Sequence, residues 1–255
     1  MERARNNSSY KAICLRTSGF SLLKALPDGT FLYSNHKNAS FTALVRECGI
    51  FFDREPMDVR VVVDTIPPVL VPNELFEEPA SQFLKIHTEL SDAEMVMKDE
   101  WPDYTAIYPV HAGQADQLRQ VGFTPSFQHS STVLARYLQL NGNDTPHRLL
   151  LFFHGSTAEF VLFCFNRLTM VSSFSFSMGE EVVYHVANIL QQHEIGADEC
   201  HLLFGGELPE AKKTFDLVNQ YFPDMDWAGD LLPAVVRTPD GKDVPPHAVL
   251  NLLPF

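Results

Sequence analysis

The sequence lacks the short motifs that identify most nucleotide-binding and hydrolytic enzymes. Its 255 residues contain no Gly-x-x-x-x-Gly-Lys-Ser/Thr, no Gly-x-Gly-x-x-Gly and no Gly-x-Ser-x-Gly, the signatures of P-loop enzymes, Rossmann dinucleotide sites and α/β-hydrolases. The ten histidines never stand at the His-Glu-x-x-His spacing or a similar one, so no metal site is predicted. These absences leave no candidate catalytic residue and favour a protein that is not an enzyme.

Cysteine is scarce as well. The four cysteines, Cys14, Cys48, Cys164 and Cys200, form no Cys-x-x-Cys pair, which argues against a zinc ribbon or a thioredoxin-like site. Each lies in or beside an apolar run, where cysteine behaves as a small hydrophobic residue. We therefore predict free, buried thiols in a protein of a reducing compartment.

Long hydrophobic runs are also missing. Residues 1–9 are polar and contain no apolar core of a signal peptide. No run approaches the roughly 20 apolar residues that a membrane-spanning helix needs. The sequence thus predicts a cytoplasmic protein with a disordered segment over residues 1–9 and no insertion into a membrane.

Positive charge is in short supply. The chain has 19 lysines and arginines against 32 aspartates and glutamates, a formal net charge of −13. Such a surface repels phosphate backbones, so nucleic-acid binding through a broad basic face is not expected. The apolar fraction of 45% and the charged fraction of 20% are ordinary for a globular protein that buries one large core or two smaller ones.

What the sequence does contain is a repeated order of elements. Three apolar runs joined by tight turns come first, then an amphipathic helix, then a buried strand. In the second half these segments cover residues 148–154, 158–165, 168–176, 179–193 and 200–204, and in the first half residues 10–15, 20–26, 30–34, 40–51 and 59–63. The order indicates an α/β protein with two lobes of the same topology.

The polar, glycine-bearing stretch at 141–144 is the best linker in the chain. It divides the sequence into a first lobe over residues 10–142 and a second lobe over residues 143–255. Within the first lobe we expect a helix from about 79 to 90 and an acidic, irregular segment over 92–102. The proline-rich end of the second lobe, residues 231–255, is expected to be an irregular tail packed on the body.

Three segments carry a resemblance to a known family: Val-Leu-Val-Pro-Asn-Glu-Leu-Phe at 69–76, Phe-Ser-Phe-Ser-Met-Gly-Glu-Glu-Val-Val-Tyr-His at 174–185 and Leu-Leu-Phe-Gly-Gly-Glu at 202–207. By these segments the chain resembles an uncharacterised Bacteroidetes family, catalogued as domain of unknown function 3822. The resemblance spans nearly the whole chain. It implies an actin-like ATPase fold, each lobe an RNase H-like mixed sheet flanked by helices, similar to the cytoplasmic scaffold proteins of type IV pilus and type II secretion machines.

The same resemblance implies where a nucleotide would bind. Actin-like ATPases hold phosphates and Mg²⁺ with glycines and an acidic residue in one strand-turn-strand hairpin per lobe. The corresponding hairpins here carry Gly19 in the first lobe and Gly155 with Ser156 in the second, and neither contains an aspartate. The pair Gly205 and Gly206 resembles the adenosine-side motif, although a glycine pair after a buried strand is also typical of a tight turn.

Two functions remain open at this point. The favoured one is a protein-interaction or scaffold module without a cofactor, on a fold whose nucleotide site has degenerated; the partner would be an unknown protein. The alternative is a nucleotide-binding ATPase or kinase-like enzyme that uses ATP and Mg²⁺ through unusual phosphate loops. Aromatic residues near predicted loops are candidate anchors of the interaction surface, in or beside the cleft between the lobes; they are Phe76, Trp101, Tyr104 and Trp227.

Overall fold

The computed structural model describes residues 10–52, 57–86, 89–141, 145–208, 210–230, 232 and 234–255. The predicted disordered segment 1–9 and most of the predicted linker therefore lie outside the described residues. The chain divides into two compact units. The first comprises residues up to 133 together with 234–244 and 251–254, and the second comprises 134–233, 245–250 and residue 255.

The first unit is built on a seven-stranded mixed sheet in the order β15-β14-β3-β2-β1-β4-β8. Strands β1, β2 and β3 form an antiparallel meander, and β4 and β8 add to it in parallel. Their bounds are Lys11–Arg16, Gly19–Ala25, Phe31–Lys37, Met57–Asp64 and Phe123–His129, with helices α1 (Phe41–Phe51) and α3 (Ala112–Gln120) between them.

Local sequence explains these elements. Ser40 caps α1, and its hydroxyl oxygen accepts a hydrogen bond from the amide of Ala43 at 3.3 Å. The β-branched run at the end of β4 is buried, as expected for a strand with parallel neighbours on both sides. The resulting core collects apolar side chains of the sheet, α1 and α3, among them Ile13, Leu22, Leu44, Val61 and Leu118.

A small second sheet is inserted in the first unit between β4 and α3. It has the order β5-β7-β6 and is antiparallel throughout. Its elements are β5 (Val69–Pro72), a 3-10 turn (Asn73–Leu75), α2 (Ser81–Leu84), β6 (Glu94–Glu100) and β7 (Tyr104–His111).

Two predictions fail in this inserted sheet. The helix expected over 79–90 is reduced to the single turn of α2, and the segment expected to be irregular forms β6. Strand β6 is charged, but it alternates: Met95 and Met97 pack against the main core, and Val96 packs against the core of the inserted sheet. Pairing with β7 therefore overrides its acidic composition.

The second unit repeats the topology of the first. Its five-stranded sheet has the order β11-β10-β9-β12-β13, with β9, β10 and β11 antiparallel and β12 and β13 parallel to β9. The repeated element order predicted from the sequence is thus present. The bounds are β9 (His147–His154), β10 (Thr157–Cys164), β11 (Arg167–Ser175), α5 (Gly179–Gln192), β12 (Cys200–Glu207), α6 (Ala211–Tyr221) and β13 (Met225–Trp227).

The division between the units falls inside α4 (Ser130–Leu140), after Val133, rather than at the linker near 141. The second half of α4 is tied to the second unit. Arg148 donates to the carbonyl oxygen of Leu138, and the Tyr137 hydroxyl accepts from the amide of Gly229 at 2.8 Å. The Tyr137–Gly229 bond joins residues that are far apart in sequence, so the composition of the linker alone does not reveal it.

The C-terminal segment is more ordered than expected. It contains β14 (Val236–Arg237), β15 (Asp243–Val244) and a 3-10 segment (Pro246–Leu252). Part of it belongs to the first unit, because β14 pairs with β3 and the Tyr10 hydroxyl donates to the Leu252 carbonyl oxygen at 2.7 Å. The expectation of an irregular tail on the second lobe alone is therefore corrected.

Candidate functional site

In the first unit, polar residues gather where β1, β4 and β8 end. These parallel strands share one edge of the sheet, the position at which α/β sheets generally bind ligands. Arg16 ends β1 and lies in register with Asp64 at the end of β4. The Arg16 Nε and the Asp64 Oδ2 are 3.8 Å apart, and both side chains are largely buried. A guanidinium, instead of a metal-binding carboxylate, thus ends the first strand of the hairpin.

The turn that follows is closed by packing. Gly19 has φ +118°, and a Cβ at this position would collide with the carbonyl oxygen of His36. The Ser18 carbonyl accepts from the amide of Asn38 at 3.1 Å, and the Thr17 hydroxyl donates to the carbonyl oxygen of Thr65 at 3.4 Å. Gly19 is therefore required by the close approach of β3, independently of any ligand.

A buried network, which the sequence did not indicate, supports the end of β8. The Asp99 carboxylate accepts from the Tyr108 hydroxyl at 3.0 Å and from the His129 amide at 2.8 Å. The His129 ring bonds the Ser131 hydroxyl at 2.9 Å and the Ile66 carbonyl oxygen at 2.8 Å. Burial and the neighbouring carboxylate raise the pKa of Tyr108, so this phenol stays protonated.

The corresponding hairpin of the second unit is open at its tip. Gly155 and Ser156 are exposed, Gly155 has φ +63°, and nothing lies within 4 Å of a Cβ built there. At the base of the hairpin, the His154 Nε2 lies 3.9 Å from the Glu159 Oε2, with side-chain exposures of 13% and 7%. The Gly155 amide donates to the Glu207 carbonyl oxygen at 3.0 Å, so it is not available to a phosphate. The hairpin thus offers a histidine-carboxylate pair where a nucleotide site of this fold would need an aspartate and several glycines.

The glycine pair lies inside a strand, not in the turn after it. Gly205 and Gly206 are buried residues of β12 that pair with Phe152 and Phe153 of β9. A Cβ on Gly205 would lie 3.2 Å from the His247 carbonyl oxygen and 3.3 Å from the Ala228 Cβ. At Gly206, with φ +89°, a Cβ would overlap the Phe153 backbone. The space beside both glycines is filled by this chain itself.

Three of the four candidate anchor residues lie in the inserted sheet. Trp101 follows β6 and is 9% exposed, and Tyr104 begins β7 and is half-buried. The Trp101 amide donates to the Tyr104 carbonyl oxygen at 2.7 Å, so the two residues close the β6–β7 turn. Phe76 is half-buried and stacks on Phe83 with 5.8 Å between ring centroids.

Trp227 lies in the second unit and is also half-buried. Its indole stands between the rings of Phe215 and His247, each 4.5 Å away and nearly parallel to it. Burial lowers the pKa of His247, which favours a neutral imidazole in this stack. Trp227 therefore completes the aromatic core of its own unit.

The more exposed apolar residues of the inserted sheet were missed by the sequence argument, which considered aromatic residues alone. Leu75 is 63% exposed and Ile86 is 76% exposed, and they flank the Phe76–Phe83 pair in sequence. The same stretch carries exposed acids at Glu74, Glu77, Glu78 and Glu89. Large apolar residues placed among acids are visible in the sequence and would have indicated this exposed apolar surface.

The four thiols are free, as the sequence predicted, and three of them are fully buried. Burial raises the pKa of Cys14, Cys48 and Cys200 to about 12 in each case. Cys164 is half-buried. The three buried thiols are structural residues and not nucleophiles.

Within the described residues, none of the helices combines the length and the apolar character that a passage through a membrane requires.

Solved structures resemble this chain over most of its length. A Bacteroides thetaiotaomicron protein with an actin-like ATPase fold and unknown function aligns with a TM-score of 0.71 and 17% identity, covering 88% of this chain and 92% of that chain. A chain of the PilM–PilN type IV pilus biogenesis complex aligns with a TM-score of 0.59 and 11% identity, covering 90% of this chain and 91% of that one.

The ethanolamine utilization protein EutJ from Carboxydothermus hydrogenoformans gives a TM-score of 0.52 at 8% identity, covering 95% of this chain and 88% of that chain. The protein therefore has the actin-like ATPase fold that the sequence resemblance implied.

No curated protein sequence matches the chain significantly. A family model described as "Protein of unknown function (DUF3822)" matches residues 37–225. Since the match covers well over half of the 255 residues, the chain belongs to the DUF3822 family.

Proposed function

We propose that this protein is a non-catalytic protein-interaction module, built on an actin-like ATPase fold whose nucleotide site no longer holds a nucleotide. The observation that carries the proposal is the packing at Gly205. The side of Gly205 that lacks a side chain, where a ligand would approach, is filled by the His247 carbonyl oxygen and the Ala228 side chain. A nucleoside at the glycine pair would have to displace the C-terminal segment and the core side chains that lie there.

The two hairpins support the same proposal. A Mg²⁺ ion bound to phosphates is held through carboxylate oxygens and water. In the first hairpin the nearest carboxylate in register is that of Asp64, and the Arg16 guanidinium beside it neutralises part of its charge. In the second hairpin, Gly155 and Ser156 follow His154 rather than an aspartate.

The inserted sheet supplies the interaction surface. Leu75 and Ile86 expose apolar side chains, and exposed acids at Glu74, Glu77 and Glu89 surround them in sequence. Exposed apolar side chains that alternate with exposed acids along the chain fit a basic, amphipathic segment of a partner protein. That a fold of this kind assembles with another protein is known for the PilM–PilN complex; for this chain it is part of the proposal.

The test is co-purification of the tagged protein from the cells that produce it, compared between variants. Ile86→Lys removes an apolar anchor and introduces a positive charge that repels the proposed basic partner. We expect it to reduce the recovered partner at least about tenfold while thermal unfolding is unchanged. Tyr221→Lys is the matched control, because Tyr221 is 60% exposed but lies on α6 of the second unit. Equal recovery of the same partner with both variants would contradict the proposed surface.

A further inference from the structure

Strand β11 is an edge strand that lacks the features by which natural proteins usually prevent edge strands from pairing with another chain. The described sheets have five other outer strands, and each has a feature that limits pairing with another chain. Strands β13 and β15 are three and two residues long, β5 and β8 contain Pro72 and Pro125, and β6 carries Glu94, Lys98 and Glu100. Strand β11 has nine residues, and residues 168–176 contain neither a charge nor a proline.

One irregularity lies near the start of β11. Its register against β10 shifts between Met170 and Leu168, which leaves Thr169 as the extra residue of a bulge. The remaining stretch from Met170 to Ser175 pairs regularly with β10 along one side. It offers about six residues of extended backbone for pairing on the other side, which is enough for strand addition.

Exposed apolar side chains flank this strand. Phe165, in the turn before β11, is 74% exposed, and Met178, just after the strand, is 58% exposed. Tyr184 on α5 is 66% exposed and contacts His185, whose ring stacks on Phe174 of β11 at 4.2 Å. Exposed apolar side chains therefore lie before, after and next to β11, and these three residues are named the exposed strip.

From this arrangement we infer that β11 is a self-association edge, at which two copies of this chain pair antiparallel about a twofold axis to join their five-stranded sheets. A register centred on Ser172 is self-complementary. It sets Met170 of each copy opposite Phe174 of the other, a cross-strand pair of sulfur and aromatic ring. The same register brings Phe165 of one copy beside Met178 of the other, so that the exposed strip is covered on both copies.

Charge complementarity between Arg167 and Glu181 also favours antiparallel pairing. Arg167 begins β11 and is exposed. Beyond the end of β11, the Glu181 carboxylate accepts from the Ser177 amide at 2.7 Å and from its hydroxyl at 3.0 Å. Antiparallel pairing places Arg167 of each copy opposite Ser177, next to the Glu181 carboxylate of the other copy. Parallel pairing would oppose Arg167 to itself, so a second copy favours the antiparallel arrangement even though each chain carries a net charge of −13.

The experiment is sedimentation velocity over a concentration series, with four single-residue variants. The wild type is expected to form a concentration-dependent dimer. Ser172→Lys places two like charges at the twofold axis and should raise the dissociation constant at least about tenfold. Thr124→Lys makes the same kind of change on β8, an outer strand of the first unit, and should leave the dimer intact.

A charge reversal at Arg167 is the second test of the dimer. Arg167→Glu should weaken the dimer, whereas Arg167→Lys should retain it. In the wild type, amide exchange within residues 170–175 should slow as the protein concentration rises. A chain that stays monomeric at every concentration overturns the inference, as does a dimer that Ser172→Lys and Arg167→Glu leave unchanged. A monomer that instead takes up an extended peptide of another protein along β11 overturns it too. None of these outcomes depends on the inserted sheet, so the proposed interaction surface there stands or fails separately.

Discussion

The two units have the same strand order, but they close their first hairpins in different ways. Each unit ends its first strand on a basic side chain that is in register with an acid at the end of the fourth strand: Arg16 with Asp64, and His154 with Glu207. In the first unit the turn glycine, Gly19, is pressed against the His36 carbonyl. In the second, Gly155 has open space around it.

The comparison separates what the fold needs from what a ligand would need. The shared order of strands is held by two independent apolar cores. A glycine that packing requires, such as Gly19 or Gly206, is explained without a ligand. Gly155 is the one glycine of the candidate site whose Cβ position is open. Its amide donates to the Glu207 carbonyl oxygen at 3.0 Å and is therefore not available to a phosphate.

The largest effect should come from substituting the packed glycine of the second unit. Gly206→Ala forces a side chain into the Phe153 backbone at φ +89°, and we expect a loss of more than about 4 kcal/mol of unfolding free energy, or no folded protein. Gly155→Ala meets only the conformational cost of φ +63° in open space, about 1 kcal/mol. Urea unfolding of the two variants measures the difference, and equal effects would contradict the account of the glycine pair.

The next largest effect tests the aromatic core of the second unit. Phe204 is 1% exposed and contacts the rings of Phe153, Phe215 and Trp227. Phe204→Ala should lower the unfolding free energy by about 3–5 kcal/mol because the cavity cannot close fully. The conservative control is Phe204→Leu, with an expected loss of less than half that amount. A small effect of the alanine variant would show that these rings do not form a tightly packed core.

In the first unit the matching test removes one polar atom from the network at β8. Tyr108→Phe leaves the Asp99 Oδ1 without the phenol donor seen at 3.0 Å, at an expected cost of about 1–3 kcal/mol. The control Tyr33→Phe removes another hydroxyl of this unit, one that lies 3.3 Å from the Ser21 hydroxyl, where the partner is uncharged and a cost of about 1 kcal/mol is expected. Thermal unfolding that ranks the two variants in the opposite order would contradict the role given to Asp99.

The smallest effect concerns the thiols. With their pKa raised to about 12 by burial, Cys14, Cys48 and Cys200 should resist alkylation at pH 8, and half-buried Cys164 should react first. A raised thiol pKa also means that their contribution to stability is complete below the unfolded value near 9 and is lost as the pH rises toward 12. Peptide mapping after brief iodoacetamide treatment checks the order, and early labelling of Cys48 would refute it.

The sequence predicted the repeated strand-and-helix order because periods of two and 3.6 residues are local properties. The spacing on α5 predicts an apolar stripe of five residues; four of them are buried and Val183 is half-buried, the four being Val182, Val186, Ile189 and Leu190. Strand β6 was missed because Glu94, Lys98 and Glu100 hide the alternation that Met95 and Met97 carry. In that case the pairing with β7 decided the structure, and pairing is not a local property.

The candidate site was harder to predict, because its residues meet only through register. Arg16 and Asp64 come together since β1 and β4 are parallel and aligned, a fact that no spacing in the chain reveals. The same holds for Gly205, whose neighbour His247 comes from the C-terminal segment. The glycine positions were therefore found from the sequence, but what fills the space beside them was not.

Calorimetric titration with Mg-ATP tests the proposal that this fold no longer holds a nucleotide, with Mg-ADP and ATP plus chelator as parallel titrations. We expect no saturable heat of binding at millimolar nucleotide and an unchanged unfolding temperature of the protein in the same mixtures. A nucleotide present at about 100 times its dissociation constant would stabilise the folded protein by about 2.7 kcal/mol. Saturable, Mg²⁺-dependent binding with a rise of the unfolding temperature of that size would contradict the proposal.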